Sequence, residues 1–230
     1  MEEAVLAHPP APDCFERLEA YARLTLEASR RLSLVSRRDP AAQILLNILD
    51  SLPLACLFAW RSEESAREGR PRPAFLLDAG SGSGVPGVPA AFFLAGAPAS
   101  FRLYLVESRE SKAGFLRKLV EVLGVSSCEV YQGRLEEPEF APWLEARQAA
   151  GATGLLCARA LAGVDKVLHW CRPIEPRLEG ALLIKGTPGL NREWLREKQR
   201  WDQQGWGVRG VFAFFPGERL VHHLWLLPQR

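Results

Sequence analysis

With 230 residues, 47% of them hydrophobic and 24% charged, the chain suits one large domain, or one domain with a small appendage, and lies outside the disordered and fibrous classes. Lysine and arginine number 29 against 27 acidic residues, so the net charge of +2 gives no global pull toward a polyanion, and any such site has to be a local patch. The five cysteines, Cys14, Cys56, Cys128, Cys157 and Cys171, form no CxxC or Cys/His cluster, so neither a metal site nor a disulfide framework is expected. Met1-Glu2-Glu3 brings no basic leader, and no apolar run approaches the roughly 20 residues that span a bilayer, so the expected address is the cytoplasm, with no membrane partner.

Residues 1–60 read as a helical N-terminal part. Phe15, Leu18, Tyr21, Ala22, Leu24 and Leu26 recur at helical spacing, and Asp39-Pro40 supplies an N-cap followed by proline at the first helical position. Pro53 is expected to kink or restart the second helix. Residues 61–73, rich in Glu, Arg, Gly and Pro, read as a solvated connection. From residue 74 to 230, short apolar runs alternate with helical patterns: Phe75 to Leu77, Phe101 to Val106, Cys128 to Tyr131, Leu155 to Ala158 and Ala181 to Ile184. That alternation predicts an α/β fold with a mainly parallel sheet. Trp206 to Phe215 and Leu220 to Leu227 are joined by only four residues, too few for a parallel crossover, and predict an antiparallel hairpin at the sheet edge.

The strongest chemical signal follows the first of these strands: Asp78-Ala79-Gly80-Ser81-Gly82-Ser83-Gly84-Val85-Pro86-Gly87, opening into a helical run. Alternate glycines let the backbone turn sharply and approach a ligand, while the helix after them presents free N–H groups. The second strand ends at Val106-Glu107, and a carboxylate there, 23 residues beyond Gly84, is where both hydroxyls of a ribose are accepted. Helix capping is the competing reading of Glu107. By spacing alone Gly82 to Gly87 also satisfies GxGxxG, which leaves NAD and an oxidoreductase open. Asp78 at the start of the loop suits a cofactor with an ammonium and a sulfonium better than a pyrophosphate, and the C-terminal hairpin resembles the reversed last strand of class I methyltransferases; both favour S-adenosylmethionine.

Several separated blocks resemble the RsmG (GidB) family of class I, Rossmann-like methyltransferases, which modify N7 of a guanine in 16S ribosomal RNA. They are Leu34-Val35-Ser36-Arg37-Arg38-Asp39-Pro40 with Ile48-Leu49-Asp50-Ser51-Leu52; the loop from Asp78 to Pro89 with its Gly-Val-Pro-Gly-Val-Pro ending; Val106-Glu107-Ser108-Arg109; Gly133-Arg134-Leu135-Glu136-Glu137; Ala158-Arg159-Ala160; and Ile184-Lys185-Gly186. The chain departs from the family pattern in having Ser33-Leu34-Val35 for Asn-Leu-Thr, and Leu46-Asn47 for a basic Arg-His pair. The resemblance implies a seven-stranded methyltransferase domain over residues 74–230, a helical cap over it, S-adenosylmethionine as cofactor, and ribosomal RNA or the small ribosomal subunit as partner. A monomer is the expected state, and methyl transfer to another acceptor is the alternative.

On this reading the cofactor set is Asp78, Gly80, Ser81, Gly82, Gly84, Pro86, Gly87, Glu107, Ser108, Arg134, Leu135, Glu136 and Arg159. Arg134 and Leu135 enter through their backbone, and Arg134 with Glu136 has an ion pair as its other reading. Arg159, ending the fourth strand, and Lys185, ending the fifth, are the candidates for the acceptor side. Arg159 is expected to meet a phosphate or guanine O6, or else to pair with a carboxylate; Lys185 is expected to meet a phosphate, or else water. Asp50 has no local need within its helix and is expected to link to the glycine loop or to an arginine. Three basic sets stand out: Arg30, Arg31, Arg37 and Arg38; Arg109, Lys112, Arg117 and Lys118; and Arg192, Arg196, Lys198 and Arg200 near Trp194 and Trp201. Each is either a solvated face or part of an RNA-binding edge.

Overall fold

A computed structural model describes residues 9–95, 101–186, 198–214 and 220–229. Three helices come first: α1 (Cys14–Ser29), α2 (Pro40–Leu49) and α3 (Leu52–Arg67). The Asp39 side chain accepts from the Ala42 N–H at 3.1 Å and Pro40 stands in the first turn, as the Asp-Pro pair predicts. α3 restarts at Leu52 with Pro53 in its first turn. It then runs to Arg67, so most of the segment expected to be a connection up to residue 73 is helix instead. The reason is burial of polar groups: the Arg61 guanidinium meets Glu64 and, at 3.0 Å, Glu179. Pro40–Arg67 is also long and apolar enough, by length and composition, to cross a membrane, which corrects the expectation that no such stretch exists; half of its most apolar window is buried inside the protein.

The sheet follows: β1 (Phe75–Ala79), α4 (Gly87–Leu94), β2 (Arg102–Glu107), α5 (Glu110–Val122), β3 (Cys128–Gln132), α6 (Phe140–Glu145), β4 (Gly154–Arg159), α7 (Val164–Trp170), a 3-10 turn (Arg172–Arg177), β5 (Leu178–Gly186), β6 (Trp206–Phe214) and β7 (Val221–Pro228). The seven strands lie in the order β3-β2-β1-β4-β5-β7-β6. The first five are parallel, and β7 is inserted antiparallel between β5 and β6. β1 is buried along its whole length, as a central strand covered on both faces requires.

Residues alternate between two cores. Leu76, Leu103, Leu105, Leu155 and Trp225 face one cluster shared with α1 to α5, while Phe75, Leu77, Tyr104, Leu156 and Leu224 face another shared with α6 and α7. The helical N-terminal part therefore buries its apolar stripe on the same sheet face as α4 and α5. Arg17 near the start of α1 donates to the carbonyls of Leu123 and Gly124 just past α5, so the two helices run antiparallel and the end of α1 comes to the start of α5. That is the end at which the parallel strands stop and a ligand site forms in open α/β sheets.

Candidate active site

The glycine loop crosses the ends of β1 and β2. Gly80, Gly82 and Gly84 have φ of +70°, +56° and +90°, left-handed values that glycine adopts without a Cβ penalty. The loop is held by its own backbone: Gly80 and Ser81 N–H donate to the Val106 carbonyl at 2.9 and 3.0 Å, and the Ser81 hydroxyl donates to the Asp78 carbonyl at 2.8 Å. The Val85–Pro86 peptide is cis.

Glu107 bridges this loop to the next helix. One carboxylate oxygen accepts the Gly82 N–H at 3.0 Å and the other the Arg109 N–H at 2.9 Å. A carboxylate has about four lone-pair positions, so two acceptor positions remain at a strand end that is only 6% exposed. The bond to Arg109, the residue before α5, braces the turn into that helix, which has no side-chain cap of its own. The Glu107 carbonyl also accepts the Gly133 N–H at 3.1 Å, which draws the loop after β3 to the same place.

Asp78 is fully buried, and one of its oxygens accepts the Gly87 N–H at 2.9 Å, tying the loop to the first turn of α4. Loss of hydration in this apolar surrounding pushes its carboxyl up to about 7, with the Gly87 N–H and the Cys157 thiol working in the opposite direction. A Cβ on Gly87 would stand 2.8 Å from that carboxylate, which explains the glycine there. This geometry suits a loop-orienting role for Asp78. Tyr21 of α1 adds a link that a reading of Tyr21 as apolar stripe misses: its hydroxyl donates to the Ser83 carbonyl at 3.1 Å, and burial pushes its phenol up to about 12.

Beside the loop lies a recess of about 70 Å³ bounded by Gly80, Ser108, Gly133, Arg134, Leu135 and Glu136, all but one of them in the expected cofactor set. Val106, Leu161 and Trp170 also line it. Val106 belongs to the strand end already singled out with Glu107, whereas nothing in the local sequence marks Leu161 or Trp170; Leu161 is 37% exposed and leans over Gly80. The Arg134 and Glu136 side chains pair with each other at 3.7 Å in an exposed position, the ion pair expected as their other reading. Leu135 is buried in the core.

At the end of β4, Arg159 grips Asp50. Its Nε and Nη2 donate to one Asp50 oxygen at 3.2 and 3.0 Å, so the arginine link expected for Asp50 and the carboxylate partner weighed for Arg159 are the same bond. His223 on β7 holds the Asp50 carbonyl through Nε2 at 3.0 Å, and burial pushes its imidazole below the ordinary value. The Lys185 ammonium donates to the Ala162 carbonyl, fastening the end of β5 to the loop after β4. Asn47, where the family has histidine, is buried and accepts from the Gln43 amide at 2.7 Å.

Arg30, Arg31 and Lys118 line a groove of about 490 Å³ between α1 and α5, floored by Leu24, Phe115 and Leu119. Arg117 instead donates to Gln132 at 3.2 Å. Trp201 is fully buried, whereas Arg192, Trp194 and Arg196 lie outside the described residues. Among the described residues no group of three or more His, Cys, Asp or Glu is arranged to hold a metal ion.

The fold recurs in a solved structure, and the sequence has named relatives. The METTL16 methyltransferase domain (crystal form 2) superposes with a TM-score of 0.57 at 15% identity, over 94% of this chain and 82% of that one, which speaks for the fold. Ribosomal RNA small subunit methyltransferase G of Parvibaculum lavamentivorans is 32% identical over 189 residues, covering 82% of this chain and 74% of that protein. The protein of the same name from Rubrobacter xylanophilus is 35% identical over 171 residues, which are 74% of this chain and 57% of that protein. A family model described as rRNA small subunit methyltransferase G matches residues 15–219, and the chain accordingly belongs to the GidB family of class I methyltransferases.

Proposed function

We propose that this chain transfers the methyl group of S-adenosylmethionine to N7 of a guanine in 16S ribosomal RNA, acting in the cytoplasm as a monomer. Membership in a methyltransferase family decides between the two cofactors that the glycine spacing left open, in favour of S-adenosylmethionine. The observation that carries the site is Glu107: a nearly buried carboxylate at the end of β2, braced by two backbone N–H groups and still able to accept from a ribose.

S-adenosylmethionine supplies an electrophilic methyl on a sulfonium. Guanine N7 carries a free lone pair at neutral pH, so the protein need not remove a proton from the nucleophile. Its residues have to bind, align and exclude water. Glu107 accepts the ribose hydroxyls; Gly80, Ser81, Gly82 and Gly84 bring main chain close to the methionyl part; Asp78, Pro86 and Gly87 fix the loop on α4. Ser108 with the backbone of Arg134, Leu135 and Glu136 borders the base of the adenosine. Arg159, whose guanidinium is turned to Asp50, is assigned to the acceptor side and no longer to the cofactor set, with Lys185 at the next strand end. Arg30, Arg31 and Lys118 supply positive charge along the α1/α5 groove, whose upper end reaches the start of α5.

The test is transfer of labelled methyl to small ribosomal subunits, and to their naked RNA, from a strain lacking this gene, followed by nucleoside mass spectrometry. Labelled 7-methylguanosine is the expected product. Binding of S-adenosylhomocysteine without transfer to either substrate would move the acceptor elsewhere.

A further inference from the structure

Asp50 is an unusual carboxylate. It stands between α2 and α3, makes no side-chain cap to either helix, and is completely buried. Both Arg159 nitrogens approach only its Oδ2, while Oδ1 has no hydrogen-bond partner among the described residues. A buried charge left half satisfied is a poor way to hold helices to a sheet. The Arg61–Glu179 pair already fastens α3 to β5, and there the second Glu179 oxygen is engaged by Thr153. The surroundings of Asp50 converge on the guanidinium instead. Arg159 ends β4 with its side chain 16% exposed, the next residue, Ala160, takes a left-handed φ of +51°, and His223 pins the Asp50 carbonyl from β7. A non-glycine residue in that conformation persists where neighbours over-determine it, and such positions cluster at sites of function.

We infer that Asp50 is a positioning residue for Arg159: it aims the guanidinium at the acceptor nucleotide and cancels its charge, so that Arg159 acts there as a hydrogen-bond donor and not as a net cation. The inference rests on the proposed guanine N7 chemistry. There the donor begins as a sulfonium and the purine ends as a cation, so an uncompensated guanidinium alongside would oppose the transfer and would attract phosphates without regard to register.

The experiment compares Asp50→Asn, Asp50→Glu, Arg159→Gln and the Asp50→Asn/Arg159→Gln double variant of the full chain. It measures S-adenosylhomocysteine affinity, kcat and KM for RNA at several salt concentrations, and the melting temperature. Asp50→Asn is expected to lower kcat by about tenfold to a hundredfold, the scale of a misaimed group. Its S-adenosylhomocysteine affinity stays within about threefold of wild type, and its KM for RNA is unchanged or lower. The salt dependence of RNA binding steepens by about 0.7–0.9 in log–log slope, one extra phosphate contact. In the Arg159→Gln background the same change costs less than about twofold more, and Asp50→Glu, keeping the charge, retains more kcat than Asp50→Asn.

Additive losses, a parallel fall in S-adenosylhomocysteine affinity, or a lowered melting temperature with kcat intact would each overturn the inference. If Asp50→Asn does not fold, Arg159→Lys decides, since it keeps the charge but not the two-nitrogen grip: wild-type kcat overturns the inference, and a tenfold loss with cofactor affinity retained supports it. A wild-type chain that does not methylate guanine N7 brings down the functional reading and this inference with it. A wild-type chain that does, with independent Asp50 and Arg159 effects, sinks only the inference.

Discussion

Glu107→Gln is the sharpest perturbation of the proposed cofactor site, because the substitution keeps shape and removes charge. In the native geometry two backbone donors, Gly82 and Arg109, each meet one carboxylate oxygen at 3.0 and 2.9 Å. A glutamine amide has one oxygen, so it can accept from only one of them and must turn its NH2 toward the other donor. Losing one charge-assisted bond and leaving one donor opposed costs about 2–3 kcal/mol of folding stability. For a chain of this size that is a fall of about 4–12 °C in melting temperature. Cofactor binding loses a second amount, because the two ribose hydroxyls then face a neutral amide; about 1.5–3 kcal/mol corresponds to roughly 10- to 150-fold weaker affinity. Calorimetric titration with S-adenosylhomocysteine measures that loss, and fluorescence of Trp170 at the recess gives an independent binding signal. A variant that melts lower yet binds S-adenosylhomocysteine within about threefold of wild type would refute the reasoning and leave Glu107 as a brace for the glycine loop and the turn into α5.

Four further outcomes are expected. The Asp78 carboxyl stands near 7 in the fold against 3.8 for an ordinary carboxyl, so the folded chain binds this proton more tightly than the unfolded one; the contribution of Asp78 to stability is fully present below about pH 4 and is lost as pH rises toward 7, by about 4 kcal/mol. Asp78→Asn, neutral throughout and able to accept from Gly87, removes that decline, and urea midpoints at pH 5 and 7.5 that run parallel in variant and wild type would refute it. Gly87→Ala puts a methyl 2.8 Å from Asp78 and 3.1 Å from Leu103, and a stability loss of about 1–3 kcal/mol is expected in denaturant melts. Tyr21→Phe deletes the bond to the Ser83 carbonyl, so a loss of about 1 kcal/mol is expected together with weaker S-adenosylhomocysteine binding as the glycine loop loosens. Reversing Arg30 and Arg31 to Glu is expected to weaken RNA binding and flatten its salt dependence by about 0.7–0.9 per lost phosphate contact, with S-adenosylhomocysteine affinity unaffected.

The sheet was legible because buried parallel strands read as apolar runs: Phe75 to Leu77 and Leu155 to Ala158 lie within β1 and β4, which begin and end within a residue or two of those runs. The reversed hairpin followed from a connection too short for anything else. The glycine loop and Glu107 were legible because both act through local backbone geometry at a strand end. Contacts made across the fold were not. Arg61 sits in a run of charged and small residues that reads as solvent-facing, yet in α3 it is buried and its partner Glu179 is 118 positions away, so nothing local marks that burial. Asp50 could be assigned a distant partner from its lack of local purpose, but nothing near it in the chain points to Arg159. Leu161 and Trp170 reach the recess only because β4 and α7 deliver them there, and no periodicity encodes that.

The separation of 109 positions between Asp50 and Arg159 also sets an order of events during synthesis. The three N-terminal helices leave the ribosome first, carrying the apolar stripe that later packs on the sheet and an acid whose counter-charge has not been made. At about 5–20 residues per second, β4 arrives some 5–20 s afterwards. Through that interval the nascent helices have neither their sheet nor their ion-pair partner, so codon changes that slow translation between residues 50 and 159 are expected to lower soluble yield without altering the finished enzyme.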